Sequence, residues 1–283
     1  MPSIFDNVDE FEDGRPGFDD QDPKRQKQLI KNVIQMMTAT TGVYIMRLSA
    51  AELKRLRHDK TNEYDPLKMA LTNLDEIFKN CKAKTVDVDT AASVDAILEA
   101  HDRDKKSNGT VFLAWDIEAR AVPRAHPELV GIAVCTKFVG HADFSSDEGS
   151  MEDGSNDYET LEPLFENHFL IDTLCSKKKG AGRMLTLHAY EYAHRRNFDG
   201  VVALSYSKRK LSASVRPASE KMFRELGFEA IIENASFQNA MYGIWFKKST
   251  FSAEGLNKMF ISLCTRQGLS RSTADKLVWR CPM

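Results

Sequence analysis

An α/β fold follows from three observations in this chain of 283 residues. Phe169 to Leu174 is an almost unbroken apolar run, suited to a central strand covered on both faces. A basic glycine turn follows, and from Arg183 onward Leu185, Ala189, Tyr192 and Ala193 recur at helical spacing. A second apolar run, Val201 to Ser205, returns after that helix, and the crossover length suits a βαβ unit.

The elements around this centre read as follows. Val43 to Leu48 is the opening strand, and Ser49 with Glu52 forms a capping box that starts the next helix. Thr110 to Trp115 and Leu129 to Thr136 make a strand pair. Pro217 suits the first turn of a later helix and Gly227 its stop. Phe228 to Ile232 and Met241 to Phe246 are apolar-rich and read as the closing strands.

The turn, Lys177-Lys-Lys-Gly180-Ala-Gly182-Arg183, carries the chemistry. Its glycines permit close backbone approach, and the helix start beyond offers free N–H groups and a positive dipole end. Both attract phosphate, against the plainer reading of a solvated lysine run. A nucleotide P-loop needs Gly-Lys-Ser/Thr, which is missing, and the dinucleotide fingerprint fails because position 185 is Leu. The remaining pattern, Lys177-x-x-Gly180-x-Gly182, resembles the acetyl-CoA pyrophosphate loop of the GNAT superfamily of N-acetyltransferases. The usual first residue there is Gln or Arg. The ending Phe223-x-x-x-Gly227-Phe228 resembles the second superfamily signature, where Phe223 stands in place of a tyrosine.

The resemblance spans residues 43–248 and implies a GNAT-like mixed, mostly antiparallel central sheet flanked by helices. It implies acetyl-CoA as acyl donor and transfer of an acetyl group to a primary amine. Leu174, Cys175, Lys177, Lys178, Lys179, Gly180, Ala181, Gly182 and Arg183 would then bind the cofactor. Backbone N–H groups near Leu174 and Cys175 would stabilise the oxyanion. Asp172 interrupts the apolar run and is the candidate base, with Glu166 and His168 just before the strand as further candidates. By simple alternation Asp172 would share a face with Leu170 and Leu174. With phenylalanine at 223, Tyr206 or Ser219 is the candidate acid. A catalytically weak or inactive acyl-CoA-binding module on the same fold is the alternative, and a nucleotide-phosphate enzyme the third.

Other segments frame this domain. Residues 1–23 carry eight acidic residues against one arginine and read as an acidic disordered arm. Residues 24–42 read as an N-terminal helix and 249–283 as a C-terminal helical extension, able to pack on the domain or mediate a dimer. Residues 138–168 hold nine carboxylates and no lysine or arginine. This acidic loop insertion reads as solvated chain, or as a rim that steers a cationic acceptor such as a polyamine or a lysine or N-terminal amine.

A net charge of −2 does not suggest a nucleic-acid binder, and no apolar run approaches membrane-spanning length. The N-terminus lacks the layout of a secretory signal. Five scattered cysteines, with no Cys-x-x-Cys, predict neither a disulfide framework nor a zinc site. The expectation is an intracellular protein, cytoplasmic or nuclear, that needs no metal; its oligomeric state is open.

Overall fold

The computed structural model describes residues 34–35, 38–39, 41–58, 71, 74–77, 109–116, 128–138, 165–207, 218–237, 241–249, 261, 265 and 270. The acidic arm and most of residues 24–42, 138–168 and 249–283 therefore lie outside the described residues. Among those described, seven strands form one sheet: β1 (Val43–Ser49), β2 (Thr110–Asp116), β3 (Glu128–Lys137), β4 (His168–Ser176), β5 (Gly200–Ser207), β6 (Glu229–Phe237) and β7 (Met241–Ser249). The helices whose bounds fall among the described residues are α1 (Ala50–His58), α2 (Ala181–Arg195) and α3 (Ala218–Glu225).

The strand order is β1-β2-β3-β4-β5-β7-β6. Every neighbouring pair is antiparallel except β4–β5, the two strands joined through α2. This is the mixed, mostly antiparallel central sheet flanked by helices that the sequence led us to expect.

Local chemistry explains where the elements start and stop. Ser49 and Glu52 cap α1 reciprocally: the Ser49 N–H donates to Glu52 Oε2 at 2.8 Å, and the Glu52 N–H donates to Ser49 Oγ at 3.1 Å. Those bonds from Ser49 hold the Glu52 carboxyl below its ordinary range. At the end of α3, Gly227 takes φ 78°, a left-handed angle that closes the helix at little steric cost. The Phe228 N–H then donates to the Phe223 carbonyl at 3.0 Å.

Two faces of the sheet are buried. On one, Phe112, Phe169 and Ile171 pack beneath Met184, Leu187 and Tyr190 of α2 and Phe223 of α3. On the other, Leu53 of α1, Leu74 and Ile77 cover Trp115, Ile132 and Cys175, while Phe165 and Trp245 cover Leu170 and Val202. Each fully buried Phe or Leu contributes roughly 1.5–3 kcal/mol.

A β-bulge divides β4. Cys135 pairs with Ile171 and Val134 with Thr173, so Asp172 is an extra residue with no opposite number on β3. The bulge resets the alternation. Leu170 lies on the face away from α2, yet Leu174 packs on the α2 face with Phe169 and Ile171. Simple alternation had put Leu170 and Leu174 on one face; the inserted residue is why they part.

Among the described residues no helix is long and apolar enough to cross a membrane.

Candidate active site

The parallel ladder between β4 and β5 runs from His168–Gly200 to Ile171–Ala203. There it ends, although both strands continue, to Ser176 and Ser207. Above that point β4 stays paired with β3 and β5 with β7. The sheet thus opens into a wedge, and the bulge at Asp172 sits at its base. Asp172, Thr173, Leu174 and Cys175 border one side; Leu204, Ser205 and Tyr206 border the other.

The glycine turn closes the top of the β4 side. The Lys177 N–H donates to the Val130 carbonyl at 2.9 Å, tying the turn to β3. Gly180 has φ 90° and ψ −27°, and α2 starts immediately after it without a side-chain cap. The first-turn N–H groups of such a helix have no intrahelical acceptors. Gly182 leaves little room, since a Cβ there would come within 3.2 Å of Ser176 Oγ and 3.3 Å of Met222 Sδ. Gly131 on β3 lets the strand end approach, because its Cβ would meet the Cys175 carbonyl at 2.8 Å. The cradle is therefore made of backbone.

Three of its cations are already engaged. Lys177 Nζ lies 2.5 Å from Glu128 Oε1, and Lys178 Nζ lies 2.8 Å from Asp116 Oδ1. Arg183 pairs with Glu225 of α3. Lys179 is exposed.

Cys175 differs from the cysteine reading. It is disulfide-bonded, which a scattered and odd cysteine set did not lead us to expect. The other cysteine among the described residues, Cys135, is a free thiol, so the partner of Cys175 lies outside them. Burial, with a smaller push from Asp172, raises the Cys135 thiol well above its ordinary range. A neutral, enclosed thiol is a poor nucleophile.

The catalytic candidates fall into two groups. Asp172 is half-buried at the wedge, and the Thr173 hydroxyl donates to its Oδ2 at 3.1 Å. Tyr206 lies on β5 opposite Gly243, above the last β4–β5 pair. Glu166 and His168 sit at the other end of β4. With a strand rise of about 3.3 Å per residue, His168 lies roughly 13 Å from Asp172 and roughly 23 Å from Cys175 along the strand.

His168 has a structural role at that end. Its ring lies over Gly200, where a Cβ would come within 2.8 Å of it. Its Nδ1 donates to the Glu166 carbonyl at 2.7 Å, while Nε2 is enclosed without a partner among the described residues. Burial lowers its pKa and keeps the ring neutral. Strand direction was the sequence signal for this placement. Residues that open a strand lie a full strand length from the turn that ends it.

Ser205, Asp116 and Glu128 were not singled out by sequence reasoning. Buried Ser205 shares a hydrogen bond with Ser219 in the first turn of α3, joining the β5 side of the wedge to that helix. Asp116 and Glu128 hold the turn lysines, and nothing near either residue in sequence marks that role. Phe223 is a core residue, 2% exposed and 5.2 and 5.3 Å from the ring centres of Phe228 and Phe246.

Among the described residues, no group of three or more His, Cys, Asp or Glu is arranged to hold a metal ion. No family model matches the chain, and no curated protein matches it. Several solved structures do. Mosquito arylalkylamine N-acetyltransferase like 5b is 12% identical over 73% of this chain and 99% of its own, with a TM-score of 0.43. A Salmonella typhimurium protein solved with its cofactor acetyl-CoA is 13% identical over 75% and 95%, with a TM-score of 0.42. The ribosomal-protein-alanine N-acetyltransferase from Brucella melitensis is 16% identical over 73% and 99%, with a TM-score of 0.39. At these values no activity is carried over from them.

Proposed function

We propose that the chain is an acetyl-CoA-dependent N-acetyltransferase whose acceptor is a primary amine, cationic before reaction. The observation that carries this reading is the parallel β4–β5 ladder that stops at Ile171–Ala203 beside an uncapped, glycine-led helix start. A pyrophosphate at that helix start leaves an extended pantetheine arm room to run into the wedge, toward Asp172.

The chemistry follows from need. A lysine-like amine of pKa about 10.4 costs about 4–5 kcal/mol to neutralise at pH 7. Asp172, acting through water, is the proposed base. The freed amine attacks the thioester carbonyl, and its oxygen gains charge as the C–N bond forms. Backbone N–H groups near Leu174 and Cys175 are the proposed stabilisers of that charge. The nitrogen gives its surplus proton to water, the C–S bond breaks, and the thiolate leaves as such or takes a proton from Tyr206, which regains one from solvent. A thiol of pKa about 8.5 leaves tolerably without help, so phenylalanine at 223 is compatible with turnover. The acidic segment 138–168 is the proposed rim that draws in a cationic acceptor.

A second reading, an acyl-CoA-binding module without turnover, is favoured by Phe223 being core-packed where the superfamily usually has a tyrosine. Thiol release with polyamines, lysine peptides and peptides with free N-termini separates the two. Release with any of these supports the enzyme. Calorimetric binding of acetyl-CoA without release supports the module, and no binding removes both.

A further inference from the structure

Asp116 ends β2, Glu128 begins β3, and the two are direct cross-strand partners. Like charges facing each other across a ladder destabilise it unless cations intervene. Here two do. Lys178 reaches Asp116 and Lys177 reaches Glu128, from 62 and 49 residues away in the chain. The Asp116–Lys178 pair is also sheltered, with side chains 18% and 22% exposed, whereas the Glu128–Lys177 pair lies more in solvent. The same turn is bonded to β3 through the Lys177 N–H and Val130.

These contacts all pull the first half of the turn toward the β2–β3 end. The backbone cradle at Gly180 to Arg183 forms the second half. A lysine whose ammonium sits on a sheltered carboxylate is poorly placed to spend its charge on a ligand's phosphate. We propose that Asp116, seconded by Glu128, positions the turn by anchoring Lys178 and Lys177, so that these two lysines are struts and the backbone holds the anion. Asp116 is thus a positioning residue for the acyl donor. The assignment rests on the reading of the turn as that donor's phosphate site.

The two roles for Lys178 predict opposite signs for one substitution. If Lys178 binds phosphate, Asp116→Asn frees it, and acetyl-CoA affinity holds or rises. If Lys178 is a strut, Asp116→Asn loosens the turn. Affinity then falls by about tenfold, the size of one lost charge-assisted hydrogen bond at a sheltered site. Lys178→Met should weaken binding as well, and the double variant should bind no worse than Lys178→Met alone. Asp116→Glu should recover much of the loss, and exposed Glu128→Gln should show a smaller effect in the same direction.

Calorimetry with acetyl-CoA measures these affinities, and amide hydrogen exchange over residues 177–183 in the ligand-free protein measures the anchoring itself. Faster exchange in Asp116→Asn, with weaker binding, is the expected result. Unchanged exchange, or binding that holds or tightens, overturns the proposal. If the wild-type chain does not bind acetyl-CoA at all, the donor-site reading falls, and the exchange data alone decide whether Asp116 anchors the turn.

Discussion

His188 makes the helix that presents the cradle sensitive to acid. It lies on α2 (Ala181–Arg195) with Nε2 enclosed and no hydrogen-bond partner among the described residues. Burial, assisted by the charge of Arg195, lowers its pKa from 6.5 to about 4. The sign is fixed by the direction of that shift. The folded chain holds the ring neutral while the unfolded chain protonates it below about pH 6.5, so acid favours unfolding. Stability is complete above pH 6.5, falls as the pH drops toward 4, and levels off below that. Each pH unit across the interval is worth about 1.4 kcal/mol, so about 2 kcal/mol is gone by pH 5. Denaturant unfolding of the wild type and of His188→Gln, at pH 7.5 and pH 5, isolates this contribution because other titrating groups cancel in the comparison. The wild type should lose about 2 kcal/mol more than the variant between the two pH values. An equal loss in both proteins, or a His188 ring resonance that titrates near pH 6.5, would show that the ring is not held neutral by its surroundings.

Three further outcomes test the site. Gly182→Asp puts a side chain where a Cβ already comes within 3.2 Å of Ser176 Oγ and adds a charge that repels phosphate, so acetyl-CoA binding by calorimetry should be lost in a folded variant. Asp172→Asn keeps the shape of the bulge and removes a proton acceptor; kcat should fall by about 10²–10⁴-fold and recover partly at alkaline pH, with KM for acetyl-CoA little changed. An unaltered pH–rate profile would clear Asp172 of the base role. Deleting residues 145–158 should raise KM for a polyamine without moving KM for acetyl-CoA, and the wild-type amine dependence should weaken with added salt.

The parts legible in the sequence were those set by neighbours in the chain. The Ser49–Glu52 box, the helix stop at Gly227 and the strand–turn–helix around Gly180 each depend on residues a few positions apart, and each formed as read. What escaped depends on distant partners. Lys177 to Lys179 read as a run of free charge because Asp116 and Glu128 meet it only after β2, β3 and β4 have assembled. Asp172 read as one polar residue in an alternating strand, since a bulge is defined by the partner strand. Cys175 read as a lone thiol because a disulfide needs a second cysteine whose position no spacing disclosed. Glu166 and His168 were attractive for their chemistry, but the strand carries them away from the wedge.

The slip at Asp172 has a consequence for chain length. Below it, β4 is in phase with β5; above it, the strand faces the opposite way for the same count of residues. Side-chain direction beyond the slip is therefore carried by the pairing with β3, which passes over Asp172. Removing Asp172 alone would make Ile171 and Thr173 neighbours opposite Cys135 and Val134, closing the bulge with Leu174 still on the α2 face. The facing of β4 on either side of the slip therefore does not depend on the extra residue.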